Sequence, residues 1–229
     1  MSDANPEPVG PGVDEIAERL LVVDDRLQAV GRSDVKVVAV AKTFPAASVL
    51  AAMSAGCFDI GESYAQEFVT KHAEVTEAVA ETESRPPVWH FVGGLQRNKV
   101  RKIASLVDLW HSVDRAELAT EIAKHAPGAA VLLQVNISGE DAKKGCSPED
   151  LDDLMTVAVD AGLSVVGLMG MAPLAEPEAA RPGFRTLRHL ADTYDLTEVS
   201  MGMSADLEVA AQEGATIVRV GSGLFGPRR

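Results

Sequence analysis

The chain has 229 residues, 46% of them hydrophobic and 24% charged, with a net charge of -13 and a sequence pI near 4.8. This content excludes a disordered chain as the default and suits one large domain or two small ones. The acidic balance disfavours a long phosphate-tracking surface, which needs clustered Lys and Arg, so a small-molecule partner and no nucleic acid are expected.

The opening stretch MSDANPEPVGPGVDE is rich in Pro, Gly and acidic residues and predicts a flexible segment over residues 1–12. It has no basic region followed by an apolar core, and no apolar run approaches a membrane span, so a cytoplasmic chain with no membrane partner is expected. Cys57 and Cys146 lie far apart without a CxxC or a Cys/His cluster, which fits a reduced compartment and suggests neither zinc nor a disulfide framework.

Ile16, Leu20, Val23, Leu27 and Val30 recur at alternating spacings of four and three, the stripe of a first helix. Short Val-rich runs at 36–41, 57–61, 88–92, 107–112, 130–137, 164–170, 197–201 and 216–221 read as strands. Helical patterns lie between them at 46–55, 64–80, 95–105, 115–125, 148–161, 177–193 and 204–213. The clearest start signal is at Ser147, a capping residue, with Pro148 suited to the first helical position and Glu149 and Asp150 to the positive helix end.

Repeated β-α units imply parallel strands with right-handed crossovers. Eight units in this length match a closed (β/α)8 barrel better than an open doubly wound sheet, and no linker divides residues 13–229, so a single barrel domain is expected. In such a barrel the chemistry sits at the carboxyl ends of the strands. Lys42 ends the first strand in VVAVAKTFPA, where a lysine either snorkels to solvent or is held as a nucleophilic amine; the barrel position favours the functional amine.

At the other end, TIVRVGSGLFGPRR holds Gly221, Gly223 and Gly226 in a literal GxGxxG. A dinucleotide fingerprint needs a helix and a second strand after the glycines, and only three residues remain, so that reading fails. After an eighth strand the same glycines expose backbone N–H groups, and barrels often bind phosphate with the loops after strands seven and eight. SMGMSADLE supplies the companion loop: Gly202 allows close approach of a ligand, and Ser204 caps a helix or, paired with Gly221 and Ser222, serves a phosphate. Arg219, a charge inside an apolar strand, is expected to face a polar ligand or a carboxylate. Pyridoxal 5'-phosphate would use all three features: the aldehyde at Lys42, the phosphate in the cup and the ring nitrogen near Arg219.

Other polar residues invite plainer readings. His90 and His111 lack metal-ligand spacing and are expected as hydrogen-bonded barrel residues. Arg97, Lys99, Arg101 and Lys102 read as a solvated helix face, and Lys143 and Lys144 as a solvated loop pair or a second amine that accepts the cofactor. Cys57 reads as a buried small residue and Cys146 as a loop thiol, while Met169, Met171, Met201 and Met203 read as inner-wall packing.

The stretches VAVAKTFP, DIGESYAQE, WHFVGGLQRNK, LLQVNISGEDAKKG, GLMGM and SMGMSADLEVAAQEGATIVRVGSGLFG together resemble the pyridoxal phosphate homeostasis proteins, the YggS-type family also described as proline synthetase co-transcribed homologues. The resemblance spans residues 13 to 226 and implies a single barrel similar to the N-terminal domain of alanine racemase. It implies Lys42 as the residue forming the internal aldimine, Ser204, Gly221 and Ser222 around the phosphate, Gly202 and Met203 on the same wall, and Arg219 beside the pyridine nitrogen. Ser63 also belongs to the implied site, standing where the family usually has Asn in Gly-Glu-Asn-Tyr, and Ala41 precedes Lys42 where Ser is usual.

Racemisation needs an acid or base on each face of the planar intermediate. The tyrosines here are Tyr64, at a helix start, and Tyr194, near a helix end, and a permanent cation at Arg219 weakens the cofactor as an electron sink. The reading is therefore a monomeric or weakly dimeric carrier that takes part in cofactor homeostasis, passes pyridoxal phosphate to cofactor-requiring apoenzymes and has no catalytic residue. The alternatives are an amino-acid racemase using the same cofactor and a cofactor-free Schiff-base enzyme of aldolase type.

Overall fold

In a computed structural model of the protein, which describes residues 10–140, 144–173 and 176–227, eight parallel strands close into a barrel in chain order. They are β1 (Lys36–Val40), β2 (Asp59–Glu62), β3 (Val88–Phe91), β4 (Leu109–Val113), β5 (Ala130–Val135), β6 (Ser164–Gly170), β7 (Glu198–Met203) and β8 (Ile217–Val220). Closure is made by β1 on β8, with Val38 beside Arg219 and Ala39 beside Val220, and it decides between barrel and open sheet. Around the strands lie α1 (Val13–Ala29), α2 (Ala46–Ser54), α3 (Ala65–Thr82), α4 (Arg97–Ile103), α5 (Ala116–His125), α6 (Leu151–Asp160), α7 (Arg181–Thr193), α8 (Leu207–Gln212) and α9 (Ser222–Phe225).

Strand pleating separates two cores, because successive side chains point to opposite faces. Val38, Val40, Leu109, Leu132, Met169 and Ile217 fill the barrel interior. Ala39, Ile60, Trp110, Leu133, Val218 and Val220 face outward into the layer packed by the helices. The first helix buries Ile16, Val23 and Leu27 of the stripe read from the sequence, and it covers the seam between β1 and β8 through contacts with α2, α8 and α9.

Some boundaries move for identifiable reasons. The helix expected from Pro148 starts at Leu151, because the Ser147 hydroxyl accepts from the Asp150 amide at 3.1 Å and closes a turn first. The pattern over 177–193 splits into a 3-10 turn, Pro177–Ala180, and α7, whose first turn takes Pro182 where a missing N–H costs nothing. Met201 packs in the outer core rather than on the inner wall, and Met203 is exposed at the rim. Most of the segment 1–12 and Lys143 lie outside the described residues. Among the described residues no helix is long and apolar enough to cross a membrane, and no cluster of His, Cys, Asp and Glu could hold a metal.

Candidate functional site

The mouth of the barrel begins at the end of β1. The Ala41 amide donates to the Gly61 carbonyl at 2.9 Å and extends the ladder by one residue. Lys42 follows, half-buried, with the parity of the inward-facing Val38 and Val40. The chain then turns sharply: the Phe44 amide donates to the Ala41 carbonyl at 3.1 Å, and Thr43 has a φ of 68°. A β-branched residue in the left-handed region is strained, and Glu67 on α3 holds it there by accepting from the Thr43 amide at 3.0 Å.

A buried ion pair anchors the same turn from outside the barrel. Lys71 on α3 donates to the Ala41 carbonyl at 2.7 Å and pairs with Glu62 at the end of β2. The two residues are 5% and 0% exposed. Burial pushes the Glu62 carboxyl above its ordinary range, against the pull of the Lys71 ammonium, and its Oε2 has no hydrogen-bond partner among the described residues. On the other side of Lys42, the Phe44 ring packs on Phe225 of α9 with centroids 5.2 Å apart.

Phe225 belongs to the glycine-rich segment after β8, where Gly221 precedes the first helical residue, Ser222. Ser204 does not cap α8 as the sequence suggested; Asp206 takes that position, and its Oδ1 accepts from the Met203 amide at 2.6 Å. The Ser204 hydroxyl instead accepts from the Gly223 amide at 3.1 Å, joining the loops after β7 and β8 into one cup. A Cβ at Gly223 would stand 3.0 Å from Ser204 Oγ and 2.8 Å from Val220 Cγ1, so only glycine leaves the cup unobstructed. A Cβ at Gly221 would be 3.6 Å from the Val40 carbonyl oxygen, which sets the cup beside the strand that ends in Lys42. Two arginines of α1 brace it: Arg26 donates to the Ser204 carbonyl at 2.9 Å and Arg19 to the Leu224 carbonyl at 2.8 Å.

Gly202 is demanded by packing. Its φ is 88°, and a Cβ there would lie 2.5 Å from Ala210 Cβ on α8. Ser63, half-buried after β2, adjoins the loop after β3, where a Cβ at Gly93 would fall 2.2 Å from the Ser63 carbonyl oxygen. In the same loop, a Cβ at Gly94 would lie 2.0 Å from Lys144 Nζ, so the Lys144 amine rests on the glycine pair. The basic face of α4 is exposed at Arg97, Arg101 and Lys102, as expected.

Arg219 is 5% exposed inside the barrel. It donates to Ser200 Oγ at 2.6 Å and to the Gly170 carbonyl at 3.0 Å; no carboxylate lies within ion-pair distance of it among the described residues, contrary to the carboxylate alternative. Burial pulls its pKa down to about 10, opposed by the Asp206 charge at longer range, so it remains a cation at neutral pH. Ser200 Oγ lies 2.9 Å from His111 Nδ1, His111 Nε2 lies 2.9 Å from His90 Nδ1, and His90 Nε2 lies 3.0 Å from Asp59 Oδ1. The contact between β4 and β7, which are not neighbours, shows that this file crosses the interior. The two histidines are hydrogen-bonded barrel residues, as the sequence suggested.

Burial, with the nearby charges of Arg219 and Lys36, holds His111 well below the ordinary histidine value. A folded-state pKa that is depressed contributes stability above the unfolded value, about 6.5, and loses it as pH falls toward the folded value. Urea midpoints of the wild type are therefore expected to fall as pH drops below about 6.5, and His111→Gln to flatten that dependence. An equal slope in the variant would assign the acid lability to other groups.

Sequence reasoning missed Asp59, Glu62, Lys71, Arg19, Arg26 and the strain at Thr43. The charges on α1 and α3 look like ordinary solvated positions until the barrel turns them onto backbone carbonyls. Only Lys71, at an otherwise apolar helical position between Phe68 and Val75, carried a signal that could have found it.

Residues 13–229 match the family described as alanine racemase, N-terminal domain. A pyridoxal phosphate homeostasis protein of Pseudomonas aeruginosa is 43% identical over 227 residues, covering 93% of this chain and 96% of its own. One of Aquifex aeolicus is 39% identical over 230 residues, covering 93% and 98%. PipY of Synechococcus elongatus, solved with pyridoxal phosphate bound, superposes with a TM-score of 0.77 at 33% identity, covering 92% of this chain and all of that one (100%). A lysine decarboxylase of Selenomonas ruminantium shares the fold alone, with a TM-score of 0.67 at 17% identity over 98% of this chain and 66% of that one. With relatives this similar along nearly its whole length, the chain belongs to the pyridoxal phosphate homeostasis protein family, on an alanine racemase N-terminal domain barrel.

Proposed function

We propose that this chain binds pyridoxal 5'-phosphate at the carboxyl ends of its barrel strands and takes part in cytoplasmic cofactor homeostasis without robust turnover. The observation that carries this reading is the joined loop pair: Ser204 bonded to the Gly223 amide, with Gly221 beside the end of β1, brings an anion cup next to the Lys42 strand. The residues fit the group. The cup offers the Ser204 and Ser222 hydroxyls, the Ser222 amide at the start of α9 and a glycine whose Cβ would fill the space, a combination that suits a phosphate.

Lys42 supplies the amine that holds the cofactor's aldehyde carbon in a C=N linkage, formed with loss of one water. Ser204, Gly221 and Ser222 take the phosphate, Gly202 and Met203 form the adjoining wall, and Ser63 borders the opposite side. When bound, the cofactor supplies an electrophilic carbon and a conjugated ring. Arg219, cationic and donor-only, keeps the ring nitrogen an acceptor and so restrains electron withdrawal. Relatives named as homeostasis proteins, and one solved with the cofactor, support the same reading.

The tyrosines support a carrier over a racemase. Tyr194 ends α7, and its hydroxyl approaches Asp152 at 3.5 Å. Tyr64 is 47% exposed before α3. Neither is held buried against Lys42 as a second acid or base. Addition of pyridoxal phosphate is expected to give a visible band, and borohydride reduction with peptide mapping to place the label on Lys42, with no amino-acid turnover in the same sample. Lys42→Ala should lose the band. A colourless saturated protein, or label only on another lysine, would overturn the assignment.

A further inference from the structure

The mouth explains Lys42 and the cup but leaves the polar file beneath Arg219 without a purpose. His90, His111 and Ser200 are 1%, 0% and 0% exposed. Burying that many polar groups in a barrel otherwise filled by Val, Leu, Ile and Met costs stability unless every donor and acceptor is matched.

The two ends have fixed roles. A guanidinium only donates, so Ser200 Oγ accepts from Arg219; a carboxylate only accepts, so His90 donates from Nε2 to Asp59. With both imidazoles neutral, one pattern satisfies every atom between them. His90 Nδ1 accepts from His111 Nε2–H, and His111 Nδ1 accepts the Ser200 hydroxyl proton. All four bonds then donate the same way, from Arg219 toward Asp59, with no proton missing and none spare.

The file also answers a question of charge. Arg219 is buried with a hydroxyl and a carbonyl as its contacts and the Asp206 charge only at longer range, and a buried cation so weakly compensated is unstable. Asp59 begins β2 at the floor of the barrel, with Lys36 3.9 Å away and His90 bonded to it. Burial raises the Asp59 carboxyl, but the hydrogen bond from His90, with the nearby charges of Lys36 and Arg85, outweighs it, so it stays ionised. Hydrogen bonds in one direction polarise one another, which carries the influence of that carboxylate across the interior.

We propose that Asp59, His90, His111 and Ser200 are positioning residues for Arg219, a one-directional hydrogen-bond file that makes Asp59 a second remote counter-charge, beside Asp206, of the guanidinium facing the cofactor ring. This rests on the reading of Arg219 as the ring-nitrogen residue. The file fixes which N–H groups Arg219 commits to the protein and so which it presents to the mouth.

The test uses 15N-histidine-labelled protein, first without cofactor. His90 and His111 are both expected as Nε2–H tautomers with unprotonated Nδ1 at neutral pH. A doubly protonated His90, or an Nδ1–H tautomer at His111, would overturn the proposal, because the bonds above that point would run the other way. Asp59→Asn, whose amide oxygen still accepts from His90 Nε2–H, is then expected to keep both tautomers and, with pyridoxal phosphate bound, to shift the visible band in the same sense as Arg219→Met. An unchanged band in Asp59→Asn would sink the remote counter-charge. If Arg219→Met itself leaves the band in place, the reading of Arg219 fails instead, and the tautomers measured without cofactor separate the two failures. Ser200→Ala, which breaks the file at its upper end, is expected to alter His111 and leave His90 bonded to Asp59.

Discussion

Lys71→Met is expected to destabilise the protein by about 3–5 kcal/mol, read as a lowered urea midpoint at unchanged slope. Removing the ammonium strands the Glu62 carboxylate, which is 0% exposed and already has one oxygen without a partner among the described residues. It also frees the Ala41 carbonyl from one of its two donors, at the residue before Lys42. Domains of this size are typically stable by about 5–15 kcal/mol, so the loss is a large share of the total. Glu62→Gln in the Lys71→Met background should recover part of it, because a neutral amide tolerates burial better than an unpaired charge. Additive losses from the two substitutions would show that the pair is not coupled. Borohydride labelling of Lys42 should also decline in the single variant while Tyr64, two residues beyond Glu62, keeps its exposure.

The barrel was legible because its signal is repeated eight times. Runs such as Val37–Ala41 and Ile217–Val220 are short, apolar and bounded by turn residues, and each recurs after one helical length. Lys42 and Arg219 stood out for the same reason: a charge at or inside an apolar run has few innocent explanations. Ser204 was legible as a candidate for the loop pair but not in its local role. Its spacing before Leu207 suits a cap, and only the proximity of the two loops shows its hydroxyl going to Gly223 while Asp206 takes the N-cap position. Gly202 shows the converse, since a glycine gives no sign of which neighbour demands it, and here α8 does. Asp59, His90, His111 and Ser200 come from four strands, so the file they form depends on barrel register, which no local pattern encodes.

The cup can be separated from the amine by comparing pyridoxal phosphate with pyridoxal, which keeps the aldehyde and ring but lacks the phosphate. Two charge-assisted hydrogen bonds at about 1.5–3 kcal/mol each would give the wild type a preference of roughly a hundredfold or more for the phosphorylated form. Gly223→Val should erase most of it. The added side chain begins 3.0 Å from Ser204 Oγ and 2.8 Å from Val220 Cγ1, so it either fills the cup or pushes the β7 and β8 loops apart. Overpacking of this kind costs about 1–3 kcal/mol, which leaves a folded protein to assay. Trapping of pyridoxal on Lys42 by borohydride should survive, because the β1 turn is held independently by Glu67 and by Lys71. A preference that persists in Gly223→Val would place the phosphate elsewhere, and an equal loss for both ligands would mean that the substitution disturbs Lys42 itself. A loss confined to pyridoxal phosphate is the outcome expected of a cup that binds the anion and an amine that holds the carbon, each positioned by its own set of bonds.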